Sequence, residues 1–266
     1  MKILKLIRNS EILNFLQSPG DSISKKTLHG GSWVFLLKLV TKGISFIRII
    51  ILANLLRPEQ FGIFGIGLLV VTASRRLART GINEALIQKK ENIEPYLDTA
   101  WTVRVIKGIF LSLLLFFGSG LISTFFSEPK VLPLLRVLSL SVLFNHLRST
   151  GVIYFQKELL FHKRFIYLVV ASLSNFAVAV SIAFLTRSVW SLVAGIVTAR
   201  FVKCVMSYFM HPHRPRFDFN FDRINELFDF GKWVFGYSSL SFLTTEGDDV
   251  FVGRLMGSQA LGIYQM

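Results

Sequence analysis

The sequence predicts an all-α, polytopic membrane protein: one six-helix lobe, followed by the first helix of a second, parallel repeat that is cut short. Three observations predict it. Hydrophobic residues make up 52% of the 266-residue chain and charged residues only 17%, against about 25% charged in ordinary soluble domains. The apolar residues gather into seven runs of spanning length, and at about 20 residues per span the composition allows about seven. The basic residues crowd into alternate connectors, as they do in a chain threaded through a membrane. The single cysteine, Cys204, excludes a disulfide scaffold. With 26 Phe and a mean hydropathy of +0.53, the chain is not disordered.

The elements follow in order. Residues 1–28 mix apolar and charged side chains, with no long apolar stretch and no small-residue cleavage site, so they do not read as a signal peptide. Leu4, Ile7, Ile12 and Phe15 could line one side of an interfacial helix, and a loosely ordered basic tail explains them equally well. The six runs of the first lobe (29–210) are 33–56, 61–82, 101–126, 131–155, 165–185 and 189–210. The fourth is the more polar one. An amphipathic connector, 211–230, leads to a seventh run that starts at 231 and fades near 256, so that 231–266 opens the second lobe. No connector is long enough to hold a soluble catalytic domain.

Counting Lys and Arg sets the orientation. The N-terminus and the even-numbered connectors carry 13, from Lys2 and Lys5 through Lys89, Lys157 and Arg164 to Arg223. The opposite side carries 3: Arg57, Lys130 and Arg187. This asymmetry predicts a cytoplasmic N-terminus and a cytoplasmic 211–230 linker.

The chain also repeats itself at an offset of 200. Gly31-Ser-Trp33-Val34-Phe35 returns as Gly231-Lys-Trp233-Val234-Phe235, and Phe61-Gly62-Ile63-Phe64 as Leu261-Gly262-Ile263-Tyr264. Seven of 36 aligned positions are identical, and the two separated motifs hold one register. Six spans lie between the copies, so the second starts on the same side as the first. Parallel repeats of this kind are built into secondary transporters, with the substrate site between the halves. On this reading the chain holds one lobe and the first helix of the other, and is expected to be a fragment or an early-terminated frame.

Several motifs carry a family resemblance. The run Arg48 to Phe64, with Arg57-Pro58-Glu59-Gln60-Phe61-Gly62, resembles the end of the first helix and its exit in bacterial polysaccharide exporters. Gly81-Ile-Asn-Glu-Ala-Leu-Ile-Gln88 is similar to the segment after their second helix. Arg214-Pro-Arg216-Phe217 with Leu227-Phe-Asp-Phe230-Gly231 resembles the linker between their halves, and Asp249 to Gly257 with Ala260 to Tyr264 their seventh helix. These are the lipid-linked oligosaccharide flippases of the multidrug/oligosaccharidyl-lipid/polysaccharide exporter superfamily, in the O-antigen and capsule branch. The resemblance covers about residues 25–266. It implies two helical lobes around a central cavity in the bacterial inner membrane. The substrate it implies is an undecaprenyl-pyrophosphate-linked oligosaccharide, moved from the cytoplasmic to the outer leaflet. Membrane lipids and the polysaccharide polymerase machinery are the implied partners, with no nucleic acid and no cofactor beyond a coupling Na⁺ or H⁺. One departure stands out: Arg79-Thr80 occupies the place where an acidic residue is expected before the Gly81 motif.

Ionisable groups inside spans are costly and mark candidate sites. On the first span Lys38, Lys42, Ser45 and Arg48 fall within about a 120° arc at helical spacing. On the second, Thr72, Arg75, Arg76, Arg79 and Asn83 fall within about 100°. Turned toward one cavity, these stripes with Arg148 and His146 would make a cationic site suited to a pyrophosphate, since guanidinium forks pair with phosphate oxygens bidentately. The candidate substrate residues are Lys38, Lys42, Arg48, Arg75, Arg76, Arg79 and Arg148, with Arg104 and Lys107 as additions. Snorkelling to headgroups explains Arg75, Arg76, Arg79, Arg104 and Lys107 as well.

Glu246, Asp248 and Asp249 form the one acidic cluster deep in a span and are the ion-coupling candidates, since burial favours a protonated or cation-bound carboxylate. A plain ion pair between Asp248 or Asp249 and Arg48 is the structural alternative. Gly118, Gly120 and Gly195 read as close-packing positions, Ser139, Ser141, Ser172 and Ser174 likewise. His211-Pro-His213 has too few ligands for a metal. Phe217, Phe219, Phe221, Phe228 and Phe230 suggest a linker dipping into the headgroups. Three rivals remain. A peptidoglycan-precursor flippase or drug/cation antiporter of the same superfamily stays in transport, although cationic stripes suit a cationic drug poorly. A membrane enzyme of glycan assembly would need a sizeable outer loop. The third is a truncated, non-transporting product.

Overall fold

Every regular element described is helical. The computed structural model describes residues 23–89 and 92–265; the candidate interfacial helix near the N-terminus lies outside them. The helices are α1 (Ile23–Leu55), α2 (Pro58–Leu77), α3 (Ile82–Gln88), α4 (Glu94–Phe125), α5 (Val131–Leu147), α6 (Tyr154–Lys157), α7 (Phe161–Thr186), α8 (Trp190–Phe209), α9 (Phe221–Leu255) and α10 (Gly257–Tyr264). A 3₁₀ turn, Thr150–Ile153, joins α5 to α6.

Local chemistry places the ends. Pro58 fits the first turn of α2, where its missing N–H is no loss. The Arg57 backbone N–H donates to Gln60 Oε1 at 3.0 Å. The second apolar run stops at Leu77, short of 82, because Gly81 turns left-handed (φ 65°) and starts the separate α3. The fourth run is broken: α5 and its continuation meet at 74°. Ser149 and Thr150 turn their hydrogen bonds away from the helix there. The Ser149 N–H donates to Ser207 Oγ at 2.9 Å, and Thr150 Oγ1 donates to the Leu97 carbonyl at 3.0 Å. α9, the helix of the seventh apolar run, begins at Phe221, ten residues before that run. Asn220 caps it by accepting from the Arg223 N–H at 3.1 Å, and Leu227 buries its side chain against α3 and α4.

α4, α7 and α8 are long and apolar enough to cross a membrane, and α5 with its bent continuation makes a fourth such segment. α1 and α9 carry charges along their length, and α2 carries them at its ends, Glu59 in the first turn and Arg75 and Arg76 in the last. α4 pairs with α5, α7 with both α1 and α8, and α8 with α5. The largest core gathers Ile63 and Ile66 of α2, Leu115 of α4, Leu135 and Leu138 of α5 and Val193 of α8. The exterior is also apolar: Phe117, Leu121, Leu185 and Phe209 are each more than three-quarters exposed, as in a bundle whose solvent is lipid. Between lipid-facing helices, small hydroxyls add directed bonds such as Ser112 Oγ to the Ser139 carbonyl at 2.9 Å.

The repeated motifs meet. α10 packs across the start of α2, with Gly62 against Gly262. A Cβ at Gly62 would lie 1.5 Å from the Ser258 carbonyl oxygen, and one at Gly262 would lie 2.3 Å from the Pro58 carbonyl oxygen. Only glycine allows backbones this close.

Candidate functional site

The C-terminal end of α2 opens onto a cavity of about 390 Å³. α2 and the turn after it supply Arg75, Arg76 and Arg79, α4 supplies Arg104 and Lys107, the end of α5 supplies Arg148, and α8 supplies Arg200. Among the described residues these seven cations face one lining carboxylate, Glu84 of α3. Helical spacing brings the groups of each helix to one face. The 74° break after α5 lets Arg148 leave the helix and join the others.

Fixed polar groups orient several of these side chains. Arg79 is clasped by Glu84, with Nε at 3.1 Å from Oε1. The carboxylate beside Arg79 thus comes from within the Gly81 motif, three residues after Gly81. Arg76 reaches across to α9, pairing with Glu246 at 3.1 Å and donating to Thr245 Oγ1 at 2.5 Å. Lys107 donates to Thr80 Oγ1 at 3.2 Å. Arg104, buried, and Arg148 both donate to the Asn145 carbonyl, at 3.2 and 2.9 Å. Arg75 and Arg200 have no hydrogen bond or ion pair among the described residues, so their donors are available to an anion.

The sequence candidates divide. Arg75, Arg76, Arg79 and Arg148 come together, with Arg104 and Lys107 beside them. Arg48 lies apart, lining a second cavity of about 230 Å³ with Arg200 and Lys203. Its Nε is buried with no partner, as is the nearby Asn175 Oδ1. Lys38 and Lys42 are exposed on α1 and line neither cavity. α1 meets the bundle through α7, with Trp33 edge-on to Phe165 at 5.5 Å and Leu52 buried, so its lysines lie outside the cluster. The acidic group divides as well. Glu246 joins Arg76, whereas Asp248 accepts from the Tyr264 hydroxyl at 2.6 Å and Asp249 from Gln265 Nε2 at 2.7 Å. No Arg48–aspartate pair occurs among the described residues.

Sequence reasoning missed Arg200 and Lys203. The signal was present: two cations three residues apart on one face of an otherwise apolar span.

The segment after α8 is tied down by polar contacts. His211 stacks on Tyr154 with ring centroids 5.0 Å apart, and His213 Nε2 lies 3.3 Å from Asp98. Burial holds both imidazoles below their ordinary value; neighbouring basic groups add to this at His211, whereas Asp98 and Glu94 oppose it at His213. Lys89 bonds Glu226 and Tyr96, and these contacts raise its ammonium above the usual lysine range. Asp218 accepts from Thr99 and from Arg223 at 3.2 Å. These contacts anchor the start of α9 on α4.

The "Polysaccharide biosynthesis protein" family model matches residues 51–266. The chain is 26% identical over 92% of its length to the lipopolysaccharide biosynthesis protein WzxC of Escherichia coli K12, covering 50% of that protein. It is 26% identical over 91% of its length to the succinoglycan biosynthesis transport protein ExoT of Rhizobium meliloti, covering 49% of it. To the teichuronic acid biosynthesis protein TuaB of Bacillus subtilis it is 25% identical over 92% of its length, covering 51%. The chain therefore spans about half the length of the curated relatives it matches. No solved structure matches it at a significant level.

Proposed function

The chain belongs to the polysaccharide biosynthesis protein family, and on that premise we propose that it acts in flipping undecaprenyl-pyrophosphate-linked oligosaccharide units across the bacterial inner membrane. One observation carries the reading: seven cations from four parts of the bundle converge on one cavity with, among the described residues, a single lining carboxylate. A pyrophosphate offers several acceptor oxygens and a compensating charge. Arg75 and Arg200 supply uncommitted guanidinium forks, while Arg79, Arg104 and Arg148 are already oriented. The names of the relatives support a polysaccharide-precursor cargo. Nothing covalent changes in such a step, so the protein is a transporter rather than an enzyme, passing its cargo toward the polymerase machinery. The excess of Lys and Arg on one side favours a cytoplasmic N-terminus, which opens the cavity toward the cytoplasm.

The test is direct binding. Purified chain in detergent should retain undecaprenyl pyrophosphate at least tenfold better than uncharged undecaprenol. Equal retention of the two lipids overturns the reading.

Coupling to a cation gradient is assigned to Glu246, Asp248 and Asp249, because Glu246 ties this carboxylate group to Arg76 of the cavity. Sodium chloride should then raise the melting temperature above its value in choline chloride, or a fall in pH should do so if the ion is a proton. Asp249→Asn should remove that response, and a response unchanged in this variant excludes coupling through Asp249.

A further inference from the structure

The opposite end of α2 carries a second, unrelated basic site. From Arg57 to Arg75 the helix runs about 27 Å at 1.5 Å per residue, close to the thickness of a bilayer's hydrocarbon core. At the Arg57 end a cavity of about 610 Å³ lies between the first turns of α2, α5 and α8. All three helices begin here, so three positive helix ends face one space. A cation stands at each entry: Arg57 before α2, Lys130 before α5, and Arg187 three residues before α8.

The site is built rather than incidental. The Gln60 side-chain amide ties two of these cations together, accepting from the Arg57 N–H and donating to the Arg187 carbonyl, each at 3.0 Å. Arg187 holds a left-handed backbone (φ 44°, ψ 41°) at the end of α7, a place glycine ordinarily takes. A residue with a Cβ costs about 1 kcal/mol there, and arginine stands in that place. Lys130 is paired with Glu59 at 2.7 Å. Among the described residues no carboxylate pairs with Arg57 or Arg187, so the pocket keeps an excess of positive charge. Ile63 and Leu134 form an apolar wall, and Trp190, 40% exposed, sits on the rim, as tryptophan does at membrane–water boundaries.

We propose that this pocket holds the phosphate group of a lipid at the mouth opposite the cationic cavity, with Arg57 and Arg187 on the phosphate and the lipid chain along the Ile63–Leu134 wall. The lipid is either a phospholipid of the surrounding leaflet or the polyprenyl pyrophosphate carrier arriving from the cavity. The first source rests only on the protein spanning the membrane; the second rests on the flippase reading as well.

Native mass spectrometry of the full chain, with phosphatidylglycerol, phosphatidylcholine and undecaprenyl pyrophosphate added singly, tests it. Arg57→Gln/Arg187→Gln should lower retention of one or both anionic lipids about tenfold for each lost charge-assisted contact, and leave phosphatidylcholine unchanged. Arg57→Lys/Arg187→Lys should keep most of the binding. Arg75→Gln/Arg200→Gln should leave phosphatidylglycerol binding intact. A loss confined to phosphatidylglycerol identifies a leaflet lipid, and a loss confined to undecaprenyl pyrophosphate identifies the carrier. Unchanged retention of both, or an equal loss in the Lys variant, overturns the proposal. Because retention is read without transport, a chain that transports nothing but still loses phosphatidylglycerol with Arg57 and Arg187 sinks only the flippase reading.

Discussion

The two ends of α2 solve opposite problems. Near its start, Gly62 lets α10 approach until backbone touches backbone, and a Cβ would sit 1.5 Å from the Ser258 carbonyl oxygen. Near its end, Arg75, Arg76 and Arg79 meet four more cations across a cavity. At the start, the face turned to α10 is closed by the absence of side chains, and at the other end like charges gather that no neighbouring carboxylate fully neutralises. Backbone contact and the larger cluster of cations are thus separated along one helix. Small residues at the crossing maximise packing, the main force between helices in lipid. Convergent cations weaken packing and leave a place for an anion.

The largest expected effect comes from breaking the closed end. Gly62→Val should lower stability by about 3 kcal/mol, the upper range for overpacking, because a backbone oxygen cannot move aside as a side-chain tip does. Gly262→Val, with 2.3 Å to the Pro58 carbonyl, should act in the same direction with a smaller loss. Gly118→Ala and Gly120→Ala meet nothing within 4 Å and should hold or slightly raise the melting temperature, since alanine is the better helix former. Thermal melts of the detergent-solubilised proteins rank the four. A Gly62→Val melt equal to that of Gly118→Ala would show that α10 does not pack on α2.

The open end should behave in reverse. Arg75→Gln/Arg200→Gln removes two unpaired charges from a repelling cluster. Its melting temperature should hold or rise slightly, while retention of undecaprenyl pyrophosphate should fall about tenfold for each lost charge-assisted contact. A variant that loses stability and keeps its lipid would erase the distinction between the two ends.

Much of this was readable from residue order. The all-helical fold, the apolar exterior and the clustering of Arg75, Arg76 and Arg79 on one helix face follow from periodicity and composition. So did the repeat, although a repeat in register carries no information about contact. That the two copies of the Gly-Ile pair, at Gly62 and Gly262, touch each other emerged only with the packing of α10 on α2. The break after α5 was less legible. Arg148 and Ser149 sit in a run whose hydropathy continues to Phe155, and the bend arises from hydrogen bonds to Ser207 and Leu97, 58 and 53 residues away.

The sequence by itself determined which side chains share a face of each helix, because 3.6 residues per turn is a local property of the backbone. It determined the membrane character and the uneven distribution of basic residues for the same kind of reason: both are sums over the chain. Only the tertiary structure decided which faces look at one another. It took Arg200 into the cavity, left Lys38 and Lys42 exposed on α1, gave Glu246 to Arg76 and kept Asp248 and Asp249 from Arg48. Those outcomes depend on helix rotation and crossing, which side-chain packing between distant segments sets and no local pattern contains.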